Sequence, residues 1–209
     1  MKFLNADTQA RIAAEINAAE KRTSGEIVAV VAPSSDDYLH VPLLWATLAA
    51  LALPFALFHL TALGGYTIYL AQLACFVCVA LMLTLPAIRY RVVPRGLAHK
   101  RAHRQALDQF LSQDLHTTKS RTGVLIFISV AERYGEIIAD DGIYQKVDPG
   151  VWDEALAALL DHLKKGEVEE GFVAAIRACT EVLEEHFPVG AEDEDELPNH
   201  LIILNGDDE

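Results

Sequence analysis

The 209 residues carry 30 acids against 17 Lys and Arg, a formal charge of −13, and 52% of the chain is hydrophobic. That balance argues against nucleic acid as a partner, because a polyanion is held by basic surface. The acid is concentrated at one end: Val189 to Glu209 holds eight acids and no Lys or Arg, leaving 22 acids against 17 bases in residues 1–188.

Asp7 is the expected N-cap of a first helix of about 15 residues ending near Arg22, with Ile12, Ile16 and Ala19 on one face. Met1–Lys2 leads into this polar amphipathic segment rather than an apolar run, so no secretory signal is expected. Thr23–Ser24–Gly25 ends the helix. From Ile27 to Ala32 the chain is continuously apolar and then meets Pro33, the pattern of a strand buried on both faces.

Val41 to Ile88 contains no Asp, Glu, Lys or Arg. His59 to Gly65 divides it into two apolar halves of about 20 residues, each about 30 Å long as a helix, which matches a bilayer's hydrocarbon core. Trp45, Tyr66 and Tyr69 stand near the ends of the halves, where amphipathic rings favour the interface. A soluble helical hairpin would show a polar face, and neither half has one. Residues 41–88 are therefore expected to form a two-helix transmembrane hairpin. Cys75 and Cys78 have CxxC spacing but fall mid-span, where a thiolate is costly, so they read as packing residues.

Arg89, Arg91, Arg95, Lys100, Arg101 and Arg104 follow the second span, whereas the turn between the spans has no Lys or Arg. The positive-inside bias puts the basic end, and with a hairpin both termini, on the cytoplasmic side of an inner or cytoplasmic membrane. These six side chains are expected to contact anionic lipid headgroups, each worth about 1 kcal/mol near the surface. His99 and His103 have a spacing that zinc ligands on a helix can have, but among these bases they read as part of the same face.

Gly96 to about Leu115 reads as a helix, with Ala102, Ala106 and Phe110 repeating at four and Leu107, Leu111 and Leu115 doing the same. Gly123 to Val130 is a second buried-type strand. Gly135 to Ala139 is a third, joined by a short turn that suggests an antiparallel pair. Asp148–Pro149 opens the next helix, Asp as N-cap and Pro at the first helical position. Trp152, Leu156, Leu159 and Leu163 mark its face, and Lys164–Lys165–Gly166 stops it. Phe172, Ile176, Cys179 and Leu183 repeat the pattern in a last helix, which ends at Phe187–Pro188. The segment His200–Leu204 fits an edge strand or a linear motif, and residues 191–209 are otherwise expected to be a disordered acidic tail.

The order predicts an α/β fold: a three- to four-stranded mixed sheet packed with helices and interrupted by the inserted hairpin. The soluble domain is then discontinuous, residues 1–40 joined to 95–190. Its best chemical constellation is acidic. Asp140 and Asp141 end a strand at a Gly turn, Asp148 follows at a helix start, and Glu26 opens the first strand where it could approach the same edge. Loop carboxylates with backbone carbonyls can hold a hard cation, Ca²⁺ or Mg²⁺. Turn and cap roles account for the same residues without an ion. There is no Cys-x5-Arg loop, no strand-ending DxD nucleophile, no metal-type His/Asp cluster and no glycine-rich phosphate loop, so the sequence names no catalytic residue.

The ordered set SGEIVAVVA, TGVLIFISVAERYGEIIADDGI, a Trp-led helix, GEVEEGFVAAI and HFP resembles the TPM domain family across nearly all of the soluble sequence. The resemblance implies a small α/β domain. Acid phosphatase activity, calcium binding and assembly roles are each reported within the family. It also matches Asp140–Asp141–Gly142 to the family's turn after the third strand, and Asp148 to the acid before the following helix. Most members sit in a lumen, a periplasm or outside the cell, whereas the loop charges here point to the cytoplasm. The expected function is a membrane-anchored binding or assembly module for a membrane protein partner, carrying a divalent-metal site at Asp140, Asp141 and Asp148. The alternative is a divalent-metal-dependent phosphatase using the same residues.

Overall fold

The computed structural model describes residues 5–148, 150–190, 197 and 200–204. The first helix, α1 (Ala6–Glu20), is capped by Asn5, not by Asp7 as expected: Asn5 is extended and its Oδ1 accepts the Thr8 N–H at 2.8 Å. Asp7 sits in the first turn instead, where a negative charge favours the helix dipole. Strand β1 (Glu26–Ala32) follows, buried at every position.

Helices α2 (His40–Leu60) and α3 (Gly65–Thr84) come next and pack on each other. They stand as a hairpin-like insertion between β1 and the rest of the sheet. Both are long and apolar enough to cross a membrane, with mean hydropathies of 2.0 and 2.1. Their outer faces are uncovered apolar surface: Phe55 is 72% exposed and Phe58 74%. Among the described residues, only small side chains such as Ala46 and Ala50 are buried within α2 beyond its first turn. A short helix, α4 (Pro86–Arg89), leads towards α5 (Arg95–Ser112). Tyr38, Val41 and Val93 form a small core with Tyr90 and Val92, and Trp45 Nε1 donates to the Val92 carbonyl at 3.2 Å.

Beyond α5, a 3₁₀ turn (Leu115–Thr117) precedes β2 (Gly123–Ser129) and β3 (Tyr134–Ala139). The helices α6 (Asp141–Tyr144), α7 (Val151–Lys165) and α8 (Val168–His186) follow, and β4 (Leu201–Ile203) ends the described chain. The sheet order is β3-β2-β1-β4. β1 runs parallel to β2, with Glu26 opposite Gly123 and Ala32 opposite Ser129, and β3 runs antiparallel to β2. The His200–Leu204 segment, left open between strand and motif, supplies the edge strand β4, parallel to β1 with Ile202 opposite Val30. Residues 191–196, 198–199 and 205–209 of the expected disordered tail lie outside the described residues.

Alternation along the strands explains the continuous apolar runs. Ile27, Ala29 and Val31 join α1, α7 and α8 in one core, and Val28, Val30 and Ala32 join Ala102, Ala106 and Phe110 of α5 in the other. A strand covered on both faces has no solvent side to carry polar residues. Of the second stripe expected on α5, Leu107 and Leu111 are exposed and Leu115 is buried from the 3₁₀ turn. By chain contacts the molecule divides into Met1–Ser35 with Lys100–Glu209 and, separately, Asp36–His99.

Candidate functional site

The acidic residues gather at one end of the sheet for reasons that can be read locally. Glu26 heads β1 opposite Gly123, the first residue of β2, and the Gly123 carbonyl in turn accepts the Asp140 N–H at 2.9 Å. Glu26, Gly123 and Asp140 thus form a row across three strands. Two strand spacings separate its outer members, about 10 Å. Both acids are buried, Glu26 7% and Asp140 4% exposed.

Asp140 follows β3 in an extended conformation and caps α6, its side chain accepting the Asp141 N–H at 2.7 Å. Both of its carboxylate oxygens are also taken by Arg121, Nε to Oδ2 at 2.8 Å and Nη2 to Oδ1 at 3.0 Å. Arg121 Nη2 reaches Asp141 Oδ2 at 3.2 Å as well. This fork is a two-point ion pair of the kind a guanidinium makes best. The hydrogen bonds that Arg121 donates to Asp140, and then the charge of Asp140, hold the guanidinium even more firmly protonated than usual, with Asp141 adding to the effect.

The loop before β2 aims Arg121. Its own φ is 55°, in the left-handed region, and its N–H donates to the Thr118 carbonyl at 3.0 Å. Thr118 Oγ1 accepts the Thr122 N–H at 3.1 Å, and Thr122 Oγ1 donates to the Ser24 carbonyl at 2.9 Å, which ties the loop to the start of β1. Gly142 lets α6 close on this loop. A Cβ there would stand 2.5 Å from the Arg121 carbonyl oxygen and 2.6 Å from that of Ser120.

Asp148 is placed differently from the sequence expectation. α7 starts at Val151 with Gly150 at the cap position and no side-chain bond to the cap, while Pro149 lies outside the described residues. The exposed Asp148 accepts the Gly150 N–H on Oδ1 at 2.8 Å, an Asx turn ahead of the helix rather than an N-cap. The structure therefore unites Asp140 and Asp141 through Arg121 and leaves Asp148 in its own turn.

A Ca²⁺ or Mg²⁺ ion fits this set poorly. Ca²⁺ takes about six to eight oxygens and Mg²⁺ about six. Here Asp140 already has a cation on both oxygens, and Asp141 is 77% exposed. Among the described residues no group of three or more His, Cys, Asp or Glu is arranged to hold a metal.

Two further polar clusters carried no legible signal. At the opposite end of the parallel strands, Ser35 Oγ donates to Ser129 Oγ at 2.8 Å, Ser129 donates to Glu132, and Glu132 Oε1 accepts the Ser35 N–H at 3.0 Å. This knot locks the loop after β1 to the loop after β2. On β3, Glu136 accepts the Tyr134 hydroxyl at 2.8 Å and meets His103 Nδ1 at 2.9 Å. Burial first, and then Glu136, push the Tyr134 phenol well above its usual range. His103, expected among the basic headgroup contacts, faces a carboxylate of the sheet instead.

The six basic residues after the second apolar helix do not share one environment. Arg89 is mostly covered, 3.7 Å from Asp37 and bonded to the Tyr90 hydroxyl at 2.9 Å. Arg91, Arg95, Lys100 and Arg104 are exposed, and Arg101 is half-buried. Cys75 and Cys78 are free thiols on α3, and Cys179 is fully buried, its thiol pushed up to about 12 by burial.

Residues 90–182 match the TPM domain family. The match begins after the hairpin, so β1, which the resemblance had included, lies outside it. The NMR structure of the BA42 protein from the psychrophilic bacterium Bizionia argentinensis is similar in fold, with a TM-score of 0.62 at 23% identity. The alignment covers 97% of this chain and 96% of that one. No curated protein matches the chain.

Proposed function

We propose that this chain, which carries a TPM domain over residues 90–182, is a binding module anchored by its own hairpin in an inner or cytoplasmic membrane, with both termini in the cytoplasm. The observation that carries the proposal is the hairpin itself. It joins two apolar helices without a charged side chain to outer faces of exposed Leu and Phe. In water such a surface, far larger than the apolar patches of ordinary soluble proteins, would drive aggregation; in lipid it is the ordinary state. The basic residues that follow it support the orientation. Arg91, Arg95, Lys100 and Arg104, with Arg89 and Arg101, are the proposed contacts to anionic headgroups. The absence of charge within the spans speaks against ion or proton transport and leaves a membrane protein as the proposed partner.

Flotation with liposomes followed by protease protection of inverted and right-side-out vesicles tests the proposal. The expected result is co-flotation resistant to high salt, with Glu209 digested only when the cytoplasmic face is open. A chain that stays with the soluble fraction would remove the anchor, and digestion from the outer face would reverse the topology. The competing reading, a divalent-metal phosphatase at Asp140, Asp141 and Asp148, requires Arg121 to release Asp140. Saturable Ca²⁺ or Mg²⁺ shifts at those aspartates in the unaltered chain, with phosphate-ester turnover that Asp148→Ala abolishes, would favour it over the binding module.

A further inference from the structure

The hairpin carries a polar group that lipid does not satisfy. Gln72 is the single Asn or Gln between Val41 and Ile88. It lies seven residues beyond Gly65, the start of α3, and twelve before Thr84, its end. At about 1.5 Å per residue its backbone is about 10 Å from the nearer end. In a helix that spans the hydrocarbon core, that is well inside the apolar region. Thr47 Oγ1 donates to the Leu43 carbonyl at 2.8 Å and Thr84 Oγ1 to the Leu81 carbonyl at 3.0 Å, so each of these hydroxyls is answered by its own helix. The half-buried Gln72 carboxamide has no hydrogen-bond partner among the described residues.

Gln72 lines a hollow of about 210 Å³ between the two helices, with Ala50 and Leu51 of α2 and Tyr69 and Leu73 of α3. Ala50 is buried and too small to fill the space, and Leu51, Tyr69 and Leu73 are exposed beside it. Acyl chains can cover this surface, but they offer the carboxamide neither a donor nor an acceptor.

We propose that this face is where two copies of the chain pair in the membrane, Gln72 against Gln72. The proposal rests on the membrane-anchor reading and adds a partner to it. A carboxamide is both donor and acceptor, so it is complementary to itself: the N–H of each copy bonds the oxygen of the other. Depth favours the same occupant. Two copies inserted the same way and related by a two-fold axis along the bilayer normal hold their Gln72 residues at one level, as an isologous interface requires. A helix of a different chain would need a polar group of its own at that depth. The exposed Leu51 and Leu73 of each copy then supply the close packing that joins helices in lipid, where apolar surface alone gives no drive to associate.

The test uses the full chain, labelled at its N-terminus with a donor or an acceptor dye, in phosphatidylcholine liposomes over a range of protein-to-lipid ratios. The expected result is energy transfer that saturates as a dimer, with association about tenfold weaker in Gln72→Leu. Gln72→Asn, which keeps the carboxamide, should stay within about threefold of the parent chain. The face is read by oxidative cross-linking in a Cys75→Ala, Cys78→Ala background that retains Gln72. Tyr69→Cys, beside the hollow, should join two copies, and Leu70→Cys, turned well away on the same helix, should not. Undiminished association in Gln72→Leu, or equal cross-linking at the two positions, would overturn the proposal. Liposome flotation is read in parallel. A chain that floats but stays monomeric at every ratio loses the pairing and keeps the anchor, and a chain that does not float loses both.

Discussion

Asp140 shows why a residue can be located from sequence and its partner missed. The acid after an apolar strand is legible; the cation that answers it stands 19 positions earlier, in a loop with no pattern. Arg121 reaches it because its own φ is 55° and because Gly142 leaves room for the loop, both of which are tertiary facts. The pair should behave as a unit. Asp140→Ala removes the α6 cap, worth about 1 kcal/mol, and leaves the guanidinium with Asp141 alone. Arg121→Ala leaves Asp140 buried with one N–H donor from Asp141. In urea titrations the double variant should lose less than the sum of the singles, because each single change already breaks the fork. Strict additivity would mean that the fork contributes nothing. Cys179 offers a pH test at the same scale. Its thiol is raised from 9.0 to about 12 in the folded chain, so the unfolded chain releases the proton first as pH rises. Cys179 therefore contributes full stability below pH 9 and loses it progressively towards pH 12. Cys179→Ala should flatten that alkaline decline, measured as the urea midpoint at pH 8 and pH 10.5.

At the scale of elements, legibility followed burial. β1 and β2 were visible because both faces are covered, and α7 and α8 because Trp152 and Leu159, then Phe172, Ile176, Cys179 and Leu183, meet the core at helical spacing. α6 and β4 were not fixed, being four and three residues long. In elements that short no periodicity develops, and β4 is defined by its pairing with β1, some 170 positions away. The end of α7 was legible down to one residue. Gly166 has a φ of 81°, and the N–H groups of Gly166 and Glu167 return to the carbonyls of Leu163 and His162, both at 3.0 Å. A Cβ there meets no atom within 4 Å, so the cost of Gly166→Ala is purely conformational. We expect a loss of about 1 kcal/mol in urea unfolding with the spectrum of the folded state unchanged. A neutral substitution would mean that α7 ends differently in solution.

For the molecule as a whole, the question is whether the inserted hairpin contributes to the fold that it interrupts. Every buried residue of the two cores flanking the sheet lies outside Asp36–His99, and the hairpin region has a small core of its own around Tyr38, Val41 and Val93. The strand pairings likewise involve only residues outside the insertion. The hairpin should then act on the sheet domain only as a loop that joins β1 to α5. Loop closure entropy changes by only about 0.6 kcal/mol per doubling of length, so a flexible linker in place of residues 41–88 costs or gains little. The predicted outcome is a monomer soluble without detergent, with amide contacts between β1 and β2, β1 and β4, and β2 and β3 in the register given above. Its urea midpoint should also lie close to that of the sheet domain in the full chain. Loss of the β1–β2 pairing in that variant would show that the hairpin sets the parallel crossover, and the sheet would then depend on the membrane for its assembly. Retention of all three pairings would instead make the anchor and the binding domain separable parts.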